Sequence, residues 1–167
     1  MIAPPSTLVD LLQPWSDFYS HSKLAETVVV FIHVGGLLLA GGIAIATDRL
    51  TLRAVAAGRD ERLRYLEELH AVHRWVLIGL TLILLSGLAL ATSDIETFWG
   101  SPIYWTKMAL VAALLANGLV MTRAEDALAR DDGDASPGWR ALHRTAVASV
   151  GLWFVITALG IALVNFS

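Results

Sequence analysis

The sequence predicts an all-α integral membrane protein, a four-helix bundle running up-down-up-down behind a short N-terminal interfacial segment. Three observations carry that expectation. More than half of the 167 residues are apolar and only 16% are charged, against roughly 25% in a typical soluble domain. The charged residues are confined to the segments between four apolar runs, whereas a soluble bundle carries them along one face of every helix. Lys and Arg gather on alternate connections, as they do in a chain that crosses a bilayer repeatedly.

Residues 1–22 come first. They contain Pro4, Pro5 and Pro14, and Trp15, Phe18 and Tyr19 cluster just before the first apolar run. Aromatic residues in that position predict a segment lying at the membrane surface. The stretch has no basic region leading into an apolar core, so no signal peptide is expected. The apolar runs cover 27–47, 75–93, 108–122 (from 104 if Lys107 is tolerated) and 145–166. Each offers about 20 residues, the length that spans the hydrocarbon core. Lipid gives the backbone no hydrogen-bond partners, so each run is expected to be helical. The expected helices are about 24–47, 61–93, 102–127 and 139–166, all within a membrane domain of residues 23–167. Leu63, Leu66 and Leu69 recur at helical spacing, so the second helix should begin outside the membrane and run into it. The DDGDASPG stretch at 131–138 reads as a loop. AVHRW at 71–75 echoes ALHRT at 141–145, and LLAGG at 38–42 echoes LLANG at 114–118, a faint sign of two helical hairpins in tandem.

Orientation follows from the basic residues. Arg49, Arg53, Arg59, Arg62, Arg64 and Arg74 surround the first connection, and Arg123, Arg130, Arg140 and Arg144 the third. The opposite side has Lys23 and Lys107. Basic connections stay inside, so the expected place is the bacterial cytoplasmic (inner) membrane, multi-pass, with both termini outside the cytoplasm. The acidic and aromatic connection 94–102 suits an outer loop.

The chain has no cysteine, which excludes disulfides, thiolate metal sites, cysteine nucleophiles and the C-x-x-C-H attachment of c-type haem. It has no phosphate-binding glycine loop, nucleophile elbow or zinc-protease motif. The histidines remain. Ionisable residues in spanning segments are costly and mark functional sites, and neutral imidazole is a good iron ligand. His73 and His143 each precede an Arg at the start of an apolar run, so both should lie near the inner interface. The second and fourth helices of an up-down bundle are diagonal, so a porphyrin between them would take one axial imidazole from each. His70, one turn before His73, would substitute for it or bind a propionate, and Arg74 and Arg144 would pair with propionates. Taken singly, these are ordinary interfacial charges.

His33 lies about 22 Å further out than Asp48 at about 1.5 Å per residue. Gly36, Ala40 and Ala44 follow it along a small-residue face suited to close packing against a helix or a flat cofactor. At its depth lie Lys107 and Met108, so His33 would hold a second haem with Lys107, Met108 or water opposite, or hydrogen-bond across the bundle. Asn117 reads as interhelical glue, and Trp75, Trp99, Trp105 and Trp139 as interfacial belts.

Three stretches carry a family resemblance: FIHVGGLLLAGG at 31–42 followed by DRL at 48–50, SGLAL at 86–90, and SPIYWTKMALVAALLANG at 101–118. Over about residues 27–122 the layout resembles small four-helix bacterial membrane families of unknown function, the copper-resistance D-type membrane domain and the HemJ-type protoporphyrinogen oxidases. The HemJ-type resemblance implies that His33 and Lys107 form a functional pair. His70, His73 and His143 depart from that pattern.

The expected function is b-type haem binding, with one haem or two, in electron transfer or haem-linked redox chemistry. Candidate cofactor residues are His73, His143, His33, His70, Lys107, Arg74 and Arg144, with His73, His143 and His33 as iron ligands; no catalytic residue is assigned. The alternatives are a HemJ-like porphyrinogen-oxidising enzyme, a metal or proton transporter, and a structural subunit of a larger membrane complex. Expected partners are the lipid bilayer and a membrane or periplasmic redox protein, in a homo-oligomer or larger complex, without nucleic acid.

Overall fold

The structure, a computed structural model, describes residues 3–56, 59–130 and 136–166; the side chains of residues 59–61, 63–73 and 136 lie outside that description. The described residues form six helices: α1 (Ser6–His21), α2 (Lys23–Ala56), α3 (Arg59–Ser93), α4 (Ile95–Gly100), α5 (Pro102–Arg130) and α6 (Ser136–Phe166). Four stretches, Lys23–Ala56, Arg74–Ser93, Pro102–Arg130 and Pro137–Phe166, are long and apolar enough to cross a membrane. Their most apolar windows are at most 22% buried within the chain. Large side chains such as Phe31, Leu38, Leu84, Leu119, Phe154 and Ile161 stand more than half exposed. A water-soluble monomer does not leave such a girdle uncovered, and the four apolar helices suggest a multi-pass membrane protein in contact with lipid.

The helices pair through small residues. Along α2 and α3, His33 meets Ser86, Gly36 meets Ile83, and Ala40 meets Gly79. One register falls as the other rises, so the two helices are antiparallel. A Cβ on Gly79 would stand 2.7 Å from the Ala40 Cβ and 2.8 Å from its backbone nitrogen. The backbones approach closely there because Gly79 has no side chain and Ala40 only a methyl. α5 and α6 form a second antiparallel pair, fastened where Gly138 takes the Leu128 side chain and where Asn117 Nδ2 donates to the Thr145 carbonyl at 2.9 Å. α2 joins the pairs by packing on α6, with Gly41 against the Trp153 ring at 3.2 Å from a would-be Cβ. α3 and α5 are not a principal packing pair among the described residues.

Two apolar clusters fill the interior. Ala40, Leu114, Trp153 and Ile156 form the middle one. Ala54, Ala124, Leu128, Trp139 and Leu142 form the other, at the end marked by the exposed Arg49, Arg53, Arg123, Arg140 and Arg144. At this basic end Arg62 closes α2: its Nη2 donates to the Val55 carbonyl at 2.7 Å and its Nε to the Ala54 carbonyl at 3.3 Å. Those carbonyls end a helix and have no intrahelical donor. The guanidinium also sits 4.9 Å over the Trp139 ring, a favourable stacking.

The opposite end is aromatic. α1 is helical despite Pro14 and lies on α3 and α2, with Trp15 Nε1 donating to the Ala89 carbonyl at 3.0 Å and Ser16 Oγ to the Ser93 carbonyl at 2.7 Å. The Ser16 bond gives the Ser93 carbonyl, the last of α3, a donor that the helix itself does not supply. The connection 94–102 contains the short helix α4, capped by Asp94 accepting from the Thr97 amide at 3.3 Å. α5 then opens on Pro102 in the first helical position, where a missing N–H costs nothing. Residues 131–135 of the expected loop lie outside the described residues.

Gly79→Ala should destabilise the bundle by about 1–3 kcal/mol, because the new methyl meets Ala40 backbone atoms that cannot rotate away. Gly151→Ala, with nothing within 4 Å of the new Cβ, should leave stability level or raise it by up to about 1 kcal/mol through helix propensity. Thermal unfolding in detergent compares the two.

Candidate functional site: two polar layers inside the bundle

Polar side chains enter the interior at two levels. The first is built on His33, where α2 approaches α3. His33 is half-buried, and its Nδ1 lies 3.0 Å from Ser86 Oγ. The Ser86 hydroxyl has one proton, which it donates one turn back to the Leu82 carbonyl. Towards His33 it therefore acts as acceptor, and the imidazole must donate from Nδ1. The neutral ring is thus held as the Nδ1–H tautomer with its Nε2 lone pair unprotonated. This is the arrangement of a metal-ligating histidine, whose second nitrogen is oriented by an outer partner. Gly87 makes the fit possible, since a Cβ there would lie 3.3 Å from His33 Cε1.

Lys107 belongs to the same level. It is half-buried on α5, with Nζ 3.4 Å from the place a Cβ would take on Gly160 of α6. Its ammonium is within electrostatic reach of the His33 imidazole. The link between these two residues is electrostatic. Met108, next to Lys107, is half-buried.

The second level lies towards the basic end, in a cavity of about 380 Å³. Its walls come from α2, α3, α5 and α6, and its polar lining includes Asp48, Asn117, Ser149 and Glu125. Asp48 is 2% exposed. Ser149 is the side-chain hydrogen-bond partner of its carboxyl, and its Oδ2 finds no partner among the described residues. Glu125 is half-buried and feels the Asp48 charge.

The other sequence candidates sit elsewhere. His143 is exposed on α6, one residue from the fully buried Leu142, and Arg144 beside it is exposed too. Arg74 is exposed on α3. The side chains of His70 and His73 lie outside the described residues, so the expected His73–His143 pair has no described geometry. Among the described residues α3 and α6 are not a principal packing pair. Among the described residues no three His, Asp or Glu side chains gather into a metal-binding group. Sequence reasoning missed Ser86, Ser149, Asp48 and Glu125 as site residues. The available signal was helical phase: Leu142, Ala146, Ser149 and Trp153 recur at spacings of three and four on α6, and all are buried.

Ser86→Ala removes the oxygen that accepts from His33 Nδ1 and should cost about 0.5–1.5 kcal/mol of stability. Nitrogen chemical shifts of labelled histidine should show the Nδ1–H tautomer for His33 in the wild type and a mixture in the variant. A wild-type ring protonated on Nε2 would refute the assignment. Comparison of the chain with protein families, with curated proteins and with solved structures finds no match.

Proposed function

We propose that the protein binds b-type haem through His33 and acts in electron transfer or haem-linked redox chemistry within the bacterial cytoplasmic membrane. The bundle runs up-down-up-down, with the basic end in the cytoplasm and both termini outside. The observation that carries the reading is the His33–Ser86 hydrogen bond at 3.0 Å. It orients an imidazole inside an apolar bundle and leaves Nε2 as a ligand, as an axial haem histidine requires. A haem held there supplies one-electron chemistry. The protein's contribution is to fix the ring, to surround it with apolar helices that exclude water, and to offer Lys107 or Met108 as a second donor in the same half of the bundle. His143 points away from the interior, so it does not supply that donor.

A second reading has its own observation. Lys107 lies within electrostatic reach of His33, so the pair also suits a HemJ-like porphyrinogen-oxidising enzyme. There the ammonium would hold the substrate's carboxylates, the imidazole would accept a proton, and an external oxidant such as a quinone or dioxygen would take the six electrons.

The absorption spectrum of protein purified from haem-replete cells separates the readings. A Soret band with sharp reduced α and β bands, lost in His33→Ala and kept in His143→Ala, is the expected result. A folded, colourless preparation overturns haem binding, and porphyrin fluorescence developing from added porphyrinogen, lost in Lys107→Ala, would then favour the enzyme. For the orientation, alkaline phosphatase fused after Ser167 should be active, because that enzyme folds only outside the cytoplasm.

A further inference from the structure

The cavity at the basic end plays no part in the His33 site, and its chemistry points to a ligand of its own. Its deep end offers acceptors. Asp48 Oδ2 is buried and unpartnered among the described residues. The Glu125 carboxyl lines the same space. Asn117 uses its Nδ2 on the Thr145 carbonyl at 2.9 Å, which turns its Oδ1 into a third acceptor. Its mouth is of the opposite character: Leu77, Leu115 and Leu119 line it and are 53%, 47% and 62% exposed. These residues belong to α3 and α5, the neighbouring helices that do not pack closely. This side of the cavity therefore opens on the apolar flank of the bundle, the surface that would face hydrocarbon.

A buried carboxylate with one hydroxyl partner is costly unless it takes up a proton or a cation meets it. An inorganic ion would need more ligands than these, and no three-carboxylate or histidine cluster exists among the described residues. The apolar mouth would also give a hydrated ion no path. A volume of about 380 Å³ falls within the range of small-molecule pockets. We propose that this cavity is a lateral binding site for a lipophilic amine, whose ammonium meets Asp48, Glu125 and the Asn117 carbonyl while its apolar body lies along Leu77 and Leu119. An ammonium has three donors and no acceptor, the complement of that deep end.

The test uses the full chain in nanodiscs of phosphatidylcholine, with radiolabelled decylamine as probe and decanol, sodium and magnesium as competitors. Saturable binding is expected, weakened roughly 30-fold or more by Asp48→Asn and unaffected by decanol or millimolar salts. Glu125→Gln should weaken it to a smaller degree, and Leu119→Trp should slow entry without touching the carboxylates. These two variants carry the test if Asp48→Asn does not fold. Non-saturable uptake, wild-type affinity in both carboxylate variants, equal competition by decanol, or displacement by magnesium would each overturn the proposal. None of these readouts depends on haem.

Discussion

The close approach of α2 to its neighbours is the constraint on which the rest depends. Helices in lipid gain nothing from the hydrophobic effect by associating, so they must be held by van der Waals contact and interhelical hydrogen bonds. α2 carries small residues on two faces: Gly36 and Ala40 meet α3, and Gly41 meets Trp153 of α6. One helix therefore serves as the spine of the bundle, with α3 on one side and the α5–α6 pair on the other. Large side chains at these places would force the pairs apart and remove the framework that positions His33 and Asp48. The same geometry accounts for the seam between α3 and α5. Both are held by other helices, and nothing at their facing surfaces draws them together as Gly79 draws α3 onto α2. The open cavity is what the spine leaves over.

Polar groups inside the bundle obey a second rule, that each must be satisfied by the chain. Most are. Thr145 bonds back to Ala141 and Leu142, Ser86 serves His33 and its own helix, and Asn117 ties α5 to α6. Arg62 satisfies carbonyls at the end of α2, and Ser16 of α1 satisfies the last carbonyl of α3. Against that background Asp48 Oδ2, unpartnered among the described residues, is an exception, and exceptions of this kind in native structures call for an explanation.

Much of this was legible in the sequence because membrane helices announce themselves by length and apolarity alone. The four apolar runs lie inside the four spanning-length helices, and α3 runs unbroken from its charged start into the apolar stretch. His33 stood out because an imidazole in mid-run has no bland explanation. Asp48 did not, because in one dimension it is simply the first charge after an apolar run, next to Arg49. Helical rotation separates the two: Asp48 turns inward to Ser149, while Arg49 is exposed. The same rotation works against His143. Its depth, read from the sequence, matches that of an inner-interface ligand, but it lies off the stripe of Trp139, Leu142, Ala146 and Ser149 that faces the bundle. Depth can be counted along the sequence, whereas direction needs the phase of the whole helix. α1 and α4 were hidden for other reasons, one by Pro14 in its middle and the other by its brevity.

Depth and direction together also set how the two polar layers relate. His33 and Asp48 lie on the same helix, separated by about 22 Å of rise, with the apolar cluster of Ala40, Leu114, Trp153 and Ile156 between them. That packing has no polar side chain to relay a proton, so the two layers are chemically insulated even though one spine holds both. Coupling between them would travel through helix packing, since α2, α3 and α5 each contribute residues to both layers. A ligand that spread the α3–α5 seam would strain the Ala40–Gly79 contact, which lies about two turns from the His33–Ser86 bond. The sites are therefore separate in chemistry and share a packed framework, in which the small residues of α2 leave little slack.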